Sequence, residues 1–319
     1  MVADNQTMRA LRIHSEGGPE GLVYEEAPDP EPGIGDVLVR VGAASFTPTE
    51  LTWPSTWVDR SGRERTPVIP AHEVCGTVAE TGYGTTGFEV GDAVYGLTDW
   101  YRDGAAAEYV AVEARNLATK PSSLDQVEAT ATAMPALTAS EALFTHGSLS
   151  EGQSVLIHGA GGGVGTAAVQ LGQAAGARVI ASGRSWARDS ALELGASEFV
   201  DVDHESLADA TSDVDLVFDL VGGDLLGKSW SVIRPGGRIV SVVEDPAARP
   251  EARGDAHSVF FVVEFSGEKL GQLASQIGSG KLRPVVGDVR SLAEGREAFT
   301  AKQEGGLRGK SVLEVSAGT

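Results

Sequence analysis

The chain is poor in cysteine, in positive charge and in aromatic rings. Its 319 residues include one cysteine, Cys75. A lone cysteine excludes an intramolecular disulfide and any structural zinc site built from cysteines. Lys+Arg number 25 against Asp+Glu 45, a formal net charge of −20. That balance argues against nucleic acid or an anionic membrane surface as the main partner, because both need a basic face. No stretch approaches the ~18 apolar residues of a membrane span. The N-terminal MVADNQTMRALR has no apolar core and carries Asp4, so no export signal is expected and a cytoplasmic location is. Asn5-Gln6-Thr7 fits the glycosylation pattern, which has no role without export. Against these absences stand 41 glycines and 41% apolar residues. This is enough for ordinary cores and too apolar for a disordered acidic chain. At roughly 100–200 residues per domain, two domains are expected.

The first third reads as β. Met8–His14, Leu22–Glu25, Val37–Ala44, Val74–Glu80, Ala93–Tyr95 and Glu108–Val112 are short apolar or alternating runs. Turn residues such as Gly17-Gly18-Pro19 separate them, and this spacing suggests a small barrel or sandwich. Helical spacing follows in Leu124–Thr132 and Ala136–Gly147, with Ser122 or Ser123 as the expected N-cap. From Ser154 strands and helices alternate. Strands are expected at Val155–His158, Arg178–Ser182, Glu198–Val200, Leu216–Leu220, Arg238–Val243 and Val259–Val263. Helices are expected at Val164–Ala175 and Ala187–Leu194. Fully apolar strands in a βαβα rhythm indicate a parallel sheet covered on both faces. The tail mixes helices at Gly267–Ile277 and Leu292–Thr300 with strands at Val285–Val289 and Ser311–Val315.

The strongest motif is the glycine-rich turn Gly159-Ala160-Gly161-Gly162-Gly163-Val164-Gly165. It lies where an apolar strand ends and an Ala-rich helix begins, as a dinucleotide site requires. Glycine permits the tight turn and a close backbone approach to a pyrophosphate, and the helix N-terminus offers N–H groups to it. The end of the next strand distinguishes the nucleotides. An NAD site usually places a carboxylate there. Here the chain reads Ile180-Ala181-Ser182-Gly183-Arg184-Ser185. Arg184, with Arg188 one turn on, can neutralise a 2′-phosphate, and Ser182 can donate to it, so NADP(H) is expected over NAD(H). Arg188 also reads as a solvated helix-face charge.

At this point the chain resembles the medium-chain dehydrogenase/reductase superfamily, in its zinc-free quinone oxidoreductase branch. The likeness runs from Met8 to Val315. It is carried by Ala44-Ser45-Phe46-Thr47-Pro48-Thr49-Glu50, by Pro70-Ala71-His72-Glu73-Val74-Cys75-Gly76, and by Phe88–Gly96. Gly104–Val110, Met134-Pro135-Ala136-Leu137-Thr138-Ala139, the glycine turn and Asp215–Gly223 add to it. The resemblance implies an α/β fold: a GroES-like β-barrel catalytic domain plus a Rossmann doubly wound parallel sheet. The expected division is 1–122 for the barrel, completed by 280–319, and 123–279 for the NADP-binding domain.

The resemblance also assigns residues. It places Gly162, Gly163 and Val164 at the pyrophosphate, and Ser182 and Arg184 at the 2′-phosphate. Val221 and Val242 would line the cofactor cleft, Phe260 and Val262 its nicotinamide end, with Arg308 a further phosphate contact. Thr47 and Thr138 are expected near the nicotinamide or substrate, and Tyr101 is a candidate donor. The positions similar to zinc ligands hold Thr47, His72 and a residue near Met134. That set does not provide the about three good ligands zinc needs, so no metal is expected and His72 reads as a hydrogen-bonded structural residue. Cys75, three residues on in an apparent strand, should face away from it. Trp53, Trp57, Trp100 and Tyr101 could form a slot for a planar ring, or pack a core or lid.

The expected function is NADPH-dependent reduction of quinones or of alkenes conjugated to a carbonyl. A biosynthetic enoyl reductase for one polyketide-like or carrier-bound intermediate is an alternative, as is an NADPH-binding protein without physiological turnover. The apolar run Val259–Val263 suggests an edge that pairs in a homodimer.

Overall fold

A computed structural model describes residues 7–315. Asn5 and Gln6 of the glycosylation pattern, and the start of the N-terminal segment, lie outside the described residues. The chain divides into two compact units. The first runs to Met134 and takes back Phe265–Gly278 and the chain from Val286; the second holds Pro135–Glu264 and Ser279–Val285. This division differs from the expected boundaries at both ends. The first half of the helix Gln126–Ser140 belongs with the barrel, because Thr130 Oγ1 donates to Ala43 O at 3.2 Å and Ala131 packs with Ala43 and Val312. The helix Gly267–Gly278 also belongs there. Tyr95 Oη donates to Leu270 O at 3.1 Å, and a Cβ on Gly267 would stand 1.9 Å from Leu117 O.

The first unit centres on the ten-residue strand Asp36–Ser45. Its Val37, Val39 and Val41 are fully buried, the period-two pattern of a strand with one face on a core. It pairs antiparallel with Glu73–Thr81, Tyr109–Glu113 and Lys310–Glu314. The seven-stranded sheet continues to Ala93–Leu97 and Leu117–Thr119 on one side and Val286–Ser291 on the other. Leu117–Thr119 is a strand that the alternation pattern misses, being only three residues long.

The second unit carries six parallel strands in the order Glu198–Asp201, Arg178–Gly183, Ser154–His158, Val214–Asp219, Ile233–Ser241, His257–Phe260. Numbered along the chain, this is the 3-2-1-4-5-6 arrangement of a doubly wound dinucleotide fold. Four details differ from the sequence reading. The two expected helices are one, Gln126–Ser140, running through Pro135 into a π-helical turn at Glu141–His146. Pro135 has no N–H to continue the helical ladder, yet its ring is tolerated within that run. The N-cap is Asp125, not Ser122 or Ser123. Its Oδ1 accepts from Glu128 N at 2.8 Å, while Glu128 Oε2 accepts from Asp125 N at 3.1 Å. A helix at Gly223–Val232 was not expected from its sequence, which has glycines at 223 and 227. The strand expected at Val259–Val263 instead spans His257–Phe260, at one edge of the sheet.

Two buried ionic features hold the barrel's loops. Lys310 Nζ meets Glu73 Oε2 at 2.5 Å and donates to Phe46 O at 2.8 Å. Glu73 is fully buried, and no hydrogen-bond donor is aligned on either of its carboxylate oxygens. The Lys310 charge is therefore its main compensation. Glu50 is also buried. Its Oε2 accepts from Thr47 N at 3.0 Å and its Oε1 from Ala71 N at 2.5 Å, so one carboxyl joins two loops. Ala71 is left-handed, φ 70°, and that bond helps hold it there. Burial outweighs both backbone donors and pushes the Glu50 pKa from 4.5 up to about 7.

Two outcomes are expected. Lys310→Met strands the Glu73 charge, and urea unfolding should show a loss of about 3–5 kcal/mol; adding Glu73→Gln should restore part of it. The second concerns pH. The folded chain holds the Glu50 proton more tightly than the unfolded chain does. Its stabilising contribution is complete below about pH 4.5 and is lost as pH rises towards 7. The stability of wild type relative to Glu50→Gln should thus fall across that window, by at most about 1.4 kcal/mol per pH unit. A flat or rising difference would contradict it.

Candidate active site

In the second unit the glycine turn closes over the end of the strand Ser154–His158. Gly159 has φ 71°, and a Cβ on Gly165 would stand 2.2 Å from Gly159 O. Both positions require glycine, one for its backbone conformation and one for space. Gly162 caps the helix Gly163–Ala174 in extended conformation without a side-chain bond. The first-turn N–H groups of Gly163 and Val164 thus open from the helix end. Gly161 is also confined: the Trp186 indole and Ala187 Cβ would lie 2.8 and 2.6 Å from an added Cβ.

Beneath the turn lies a polar network that sequence reading missed. His158 is fully buried. Its Nε2 is 2.8 Å from Ser229 Oγ and its Nδ1 2.6 Å from Ser182 Oγ. Ser229 Oγ donates its own proton to Leu225 O at 3.0 Å. Ser229 therefore accepts from His158 Nε2–H, which leaves Nδ1 to accept from the Ser182 hydroxyl. Burial lowers the His158 pKa to about 4, which keeps the ring neutral. Ser182, expected at the 2′-phosphate, is fully buried here with its hydroxyl on His158. A polar residue closing an apolar strand was the available signal for His158.

The other expected phosphate contacts separate. Arg184 is exposed at the strand end, and its guanidinium has no hydrogen bond or ion pair among the described residues. Arg188 instead donates to Glu205 Oε1 at 2.8 Å and stacks 5.0 Å over the Phe199 ring. Arg308 lies in the first unit, exposed in the stretch before Lys310–Glu314.

Further along the sheet, Asp219 ends its strand fully buried. Its carboxylate accepts from Val221 N at 3.1 Å, Gly222 N at 3.0 Å and Ser241 Oγ at 2.8 Å. These bonds fix two neighbouring strand-end loops. Those loops and the next expose Val221, Val243, Phe260 and Val262, from 45 to 60%. Val242 is only half-buried. Apolar side chains at the carboxyl ends of parallel strands are where such sheets take ligands. Thr138, in the same unit, is 4% exposed, and its Oγ1 has no hydrogen-bond partner. A buried hydroxyl left so is costly unless a ligand completes it.

In the barrel unit, Thr47 is half-buried and its Oγ1 donates to Met134 Sδ at 3.6 Å. The residue pair similar to two zinc-ligand positions is thus in contact, joined by a weak sulfur acceptor. His72 Nδ1 bonds Thr98 Oγ1 at 2.7 Å, and burial lowers its pKa to about 3. It belongs to the loop before Glu73–Thr81 rather than to that strand. The reason given from spacing for the separation of Cys75 therefore changes. Cys75 is buried opposite Ala43 and Tyr95, and burial pushes its thiol up to about 12.

Trp100 packs edge-on to Trp53 at 5.3 Å and to His72 at 5.2 Å, and lies 4.9 Å from Phe265. Trp57 leaves this group: it is buried in the barrel core, donating Nε1 to Leu51 O at 3.0 Å. Tyr101 is half-buried beneath the Arg60 guanidinium, 4.9 Å from its ring, and Arg60 is anchored on Asp99.

The donor sets were tested against the groups that the resemblance brings in. Among the described residues no three His, Cys, Asp or Glu side chains converge to hold a metal ion. A dinucleotide does fit the second unit, with an open helix end, a glycine cradle and an unpartnered buried hydroxyl. Among the described residues no helix is long and apolar enough to cross a membrane.

Comparison with known proteins places this geometry. The alcohol dehydrogenase GroES-like domain profile matches residues 33–122, and a profile described as zinc-binding dehydrogenase matches 194–313. A 2-methylene-furan-3-one reductase of Solanum lycopersicum is 32% identical, over 87% of this chain and 71% of its own. The quinone oxidoreductase of Homo sapiens is 28% identical over 98% of this chain and 99% of its own. The solved quinone oxidoreductase of Coxiella burnetii superposes with a TM-score of 0.90 at 28% identity, covering 98% of this chain and all of that one. A doubly wound sheet with a glycine cradle, a GroES-like barrel and these relatives agree: the chain belongs to the medium-chain dehydrogenase/reductase superfamily, as a quinone-oxidoreductase-like oxidoreductase.

Proposed function

We propose that the chain is an NADPH-dependent, zinc-independent oxidoreductase that reduces quinones or carbonyl-conjugated C=C bonds by direct hydride transfer. The observation that carries the nucleotide preference is Arg184, an exposed guanidinium with no protein partner at the end of the second strand. The names of two relatives, a quinone oxidoreductase and a 2-methylene-furan-3-one reductase, support the substrate class. That no three metal-binding side chains converge among the described residues supports a reaction on a carbonyl already activated by conjugation.

NADPH, when bound, supplies the hydride. The chain binds and orients. Gly162, Gly163 and Val164 offer the pyrophosphate their backbone, and Arg184 the 2′-phosphate a charge. Val221, Val242, Phe260 and Val262 give the rings apolar surface. Thr138 Oγ1 gains the partner it lacks. Thr47 Oγ1 holds its proton against a thioether, a weak acceptor. It can turn that proton to a developing oxyanion at small cost. Trp53 and Trp100 present ring faces and edges to a planar substrate, and Tyr101 is a further donor. The open edge at His257–Phe260, beside exposed Phe260, supports a homodimer.

Reduced-nicotinamide absorbance should fall when NADPH and a planar quinone or enone are mixed with the protein. Saturable NADPH binding with no turnover across a broad panel would favour a binding protein instead. Arg184→Ala should weaken NADPH binding roughly tenfold and NADH binding little, as expected for one charge-assisted phosphate contact. Thr138→Val should unfold no more easily than wild type, since its hydroxyl has no partner to lose, yet should bind NADPH more weakly in calorimetry. Equal affinities would remove Thr138 from the site.

A further inference from the structure

The strand end that bears Arg184 is more acidic than its own sequence suggests. The next strand, Glu198–Asp201, lies parallel to Arg178–Gly183, with Asp201 opposite Gly183. Asp201 comes after the segment that reads as the nucleotide discriminator, so only the sheet brings it there. Its side chain is 9% exposed. Asp201 Oδ2 accepts the Ser185 hydroxyl at 2.5 Å, and Oδ1 accepts Asp203 N at 3.2 Å. His204 Nδ1 stands 3.2 Å from Oδ2 but is itself 72% exposed.

The donors around this strand end can now be compared. The Ser182 proton is held by His158 and the Ser185 proton by Asp201. Arg188 is held by Glu205 and Phe199. Among the described residues, the Arg184 guanidinium takes no such partner. A 2′-phosphate is acceptor-only and strongly anionic, so it gains from free donors and loses beside a carboxylate. A ribose 2′-hydroxyl is neutral and carries its own proton, so the same carboxylate costs it little.

We propose that Asp201 is a specificity-determining residue for the coenzyme: by holding the Ser185 hydroxyl and setting a carboxylate opposite Gly183, at the strand end that bears Arg184, it limits the preference for NADPH and keeps NADH accepted. This rests on the reading above that the Arg184 strand end receives the adenosine ribose. Asp201 acts through Ser185 and through its charge, so it is a positioning residue whose effect appears in binding rather than in chemistry.

The test is calorimetric binding of NADPH and NADH, without substrate, to wild type, Asp201→Asn, Ser185→Ala and the double variant. Asn keeps the size of Asp and an acceptor for Asp203 N. Asp201→Asn should raise the NADPH-over-NADH affinity ratio roughly tenfold, about one charge-assisted hydrogen bond, chiefly by tightening NADPH. Ser185→Ala alone should leave the ratio within about twofold, because its hydroxyl is already committed. In the Asp201→Asn background the same change should take back part of the gain. A ratio unchanged or lowered in Asp201→Asn overturns the proposal. So does a Ser185→Ala variant that loses NADPH as Arg184→Ala does, since that hydroxyl would then already reach the phosphate. Ser185 is exposed, so this second arm stands even if the Asp201 variant folds poorly. A wild type that binds neither dinucleotide sinks the underlying reading, an outcome distinct from tight binding with an unmoved ratio.

Discussion

The hydrogen bonds that tie together the carboxyl ends of the parallel strands set what the second unit can do. A parallel sheet leaves its strand ends facing one way, and the loops that follow must find partners there. Here His158 bonds Ser182 on the neighbouring strand and Ser229 on a helix. Asp219 bonds the loop after its own strand and Ser241 on the next. Each group is fully buried and hydrogen-bonded. Such networks hold one geometry because breaking any bond leaves an unpaired polar group in a low dielectric. The glycine turn rests directly on this scaffold. Ala160 N donates to Ser182 O at 3.1 Å, linking the turn to the strand that His158 holds.

The barrel unit solves a different problem. It buries two carboxylates, Glu50 and Glu73, beside its loops. Glu73 relies on Lys310, which the chain brings in from its last strand. Glu50 relies on two backbone N–H groups, and burial still raises its pKa. Both lie beside residues similar to the metal-ligand positions of zinc enzymes. Thr47 and Met134 replace charged ligands with a hydroxyl and a thioether. The outer carboxylates therefore anchor loops, and Thr47 keeps a loosely held proton. The matching profile is described as zinc-binding dehydrogenase, yet the side chains it covers here offer no zinc set among the described residues.

Much of the fold was legible in the residues, and the reasons are local. Short apolar strands, broken by glycine turns, announce a parallel sheet because each must be buried on both faces. The glycine turn was legible because Gly159, Gly161 and Gly165 do not accept a side chain there. The helix Gly223–Val232 was not, because its glycines mask the pattern of buried Leu226, Trp230 and Val232. The aromatic slot was half legible. Trp53 and Trp100 do meet, but Trp57 turns into the core, and side-chain direction in a short helix cannot be counted from spacing. Ser182 and Arg188 were chosen by type, and the structure adds their partners, His158 and Glu205. A hydroxyl or guanidinium can be read from sequence, but whether it is already engaged cannot.

By itself, the sequence determined the two-part architecture, the absence of a cysteine-built metal site and the place of the glycine turn. Each follows from residue type and near-neighbour spacing, which a linear reading contains. Tertiary structure decided which donors remain free. It set His158 against Ser182, Asp201 against Ser185 and Glu205 against Arg188. These partners lie 16 to 24 residues apart in the chain. Only strand pairing brings them within hydrogen-bond reach. The Arg184 guanidinium, among the described residues, takes no such partner.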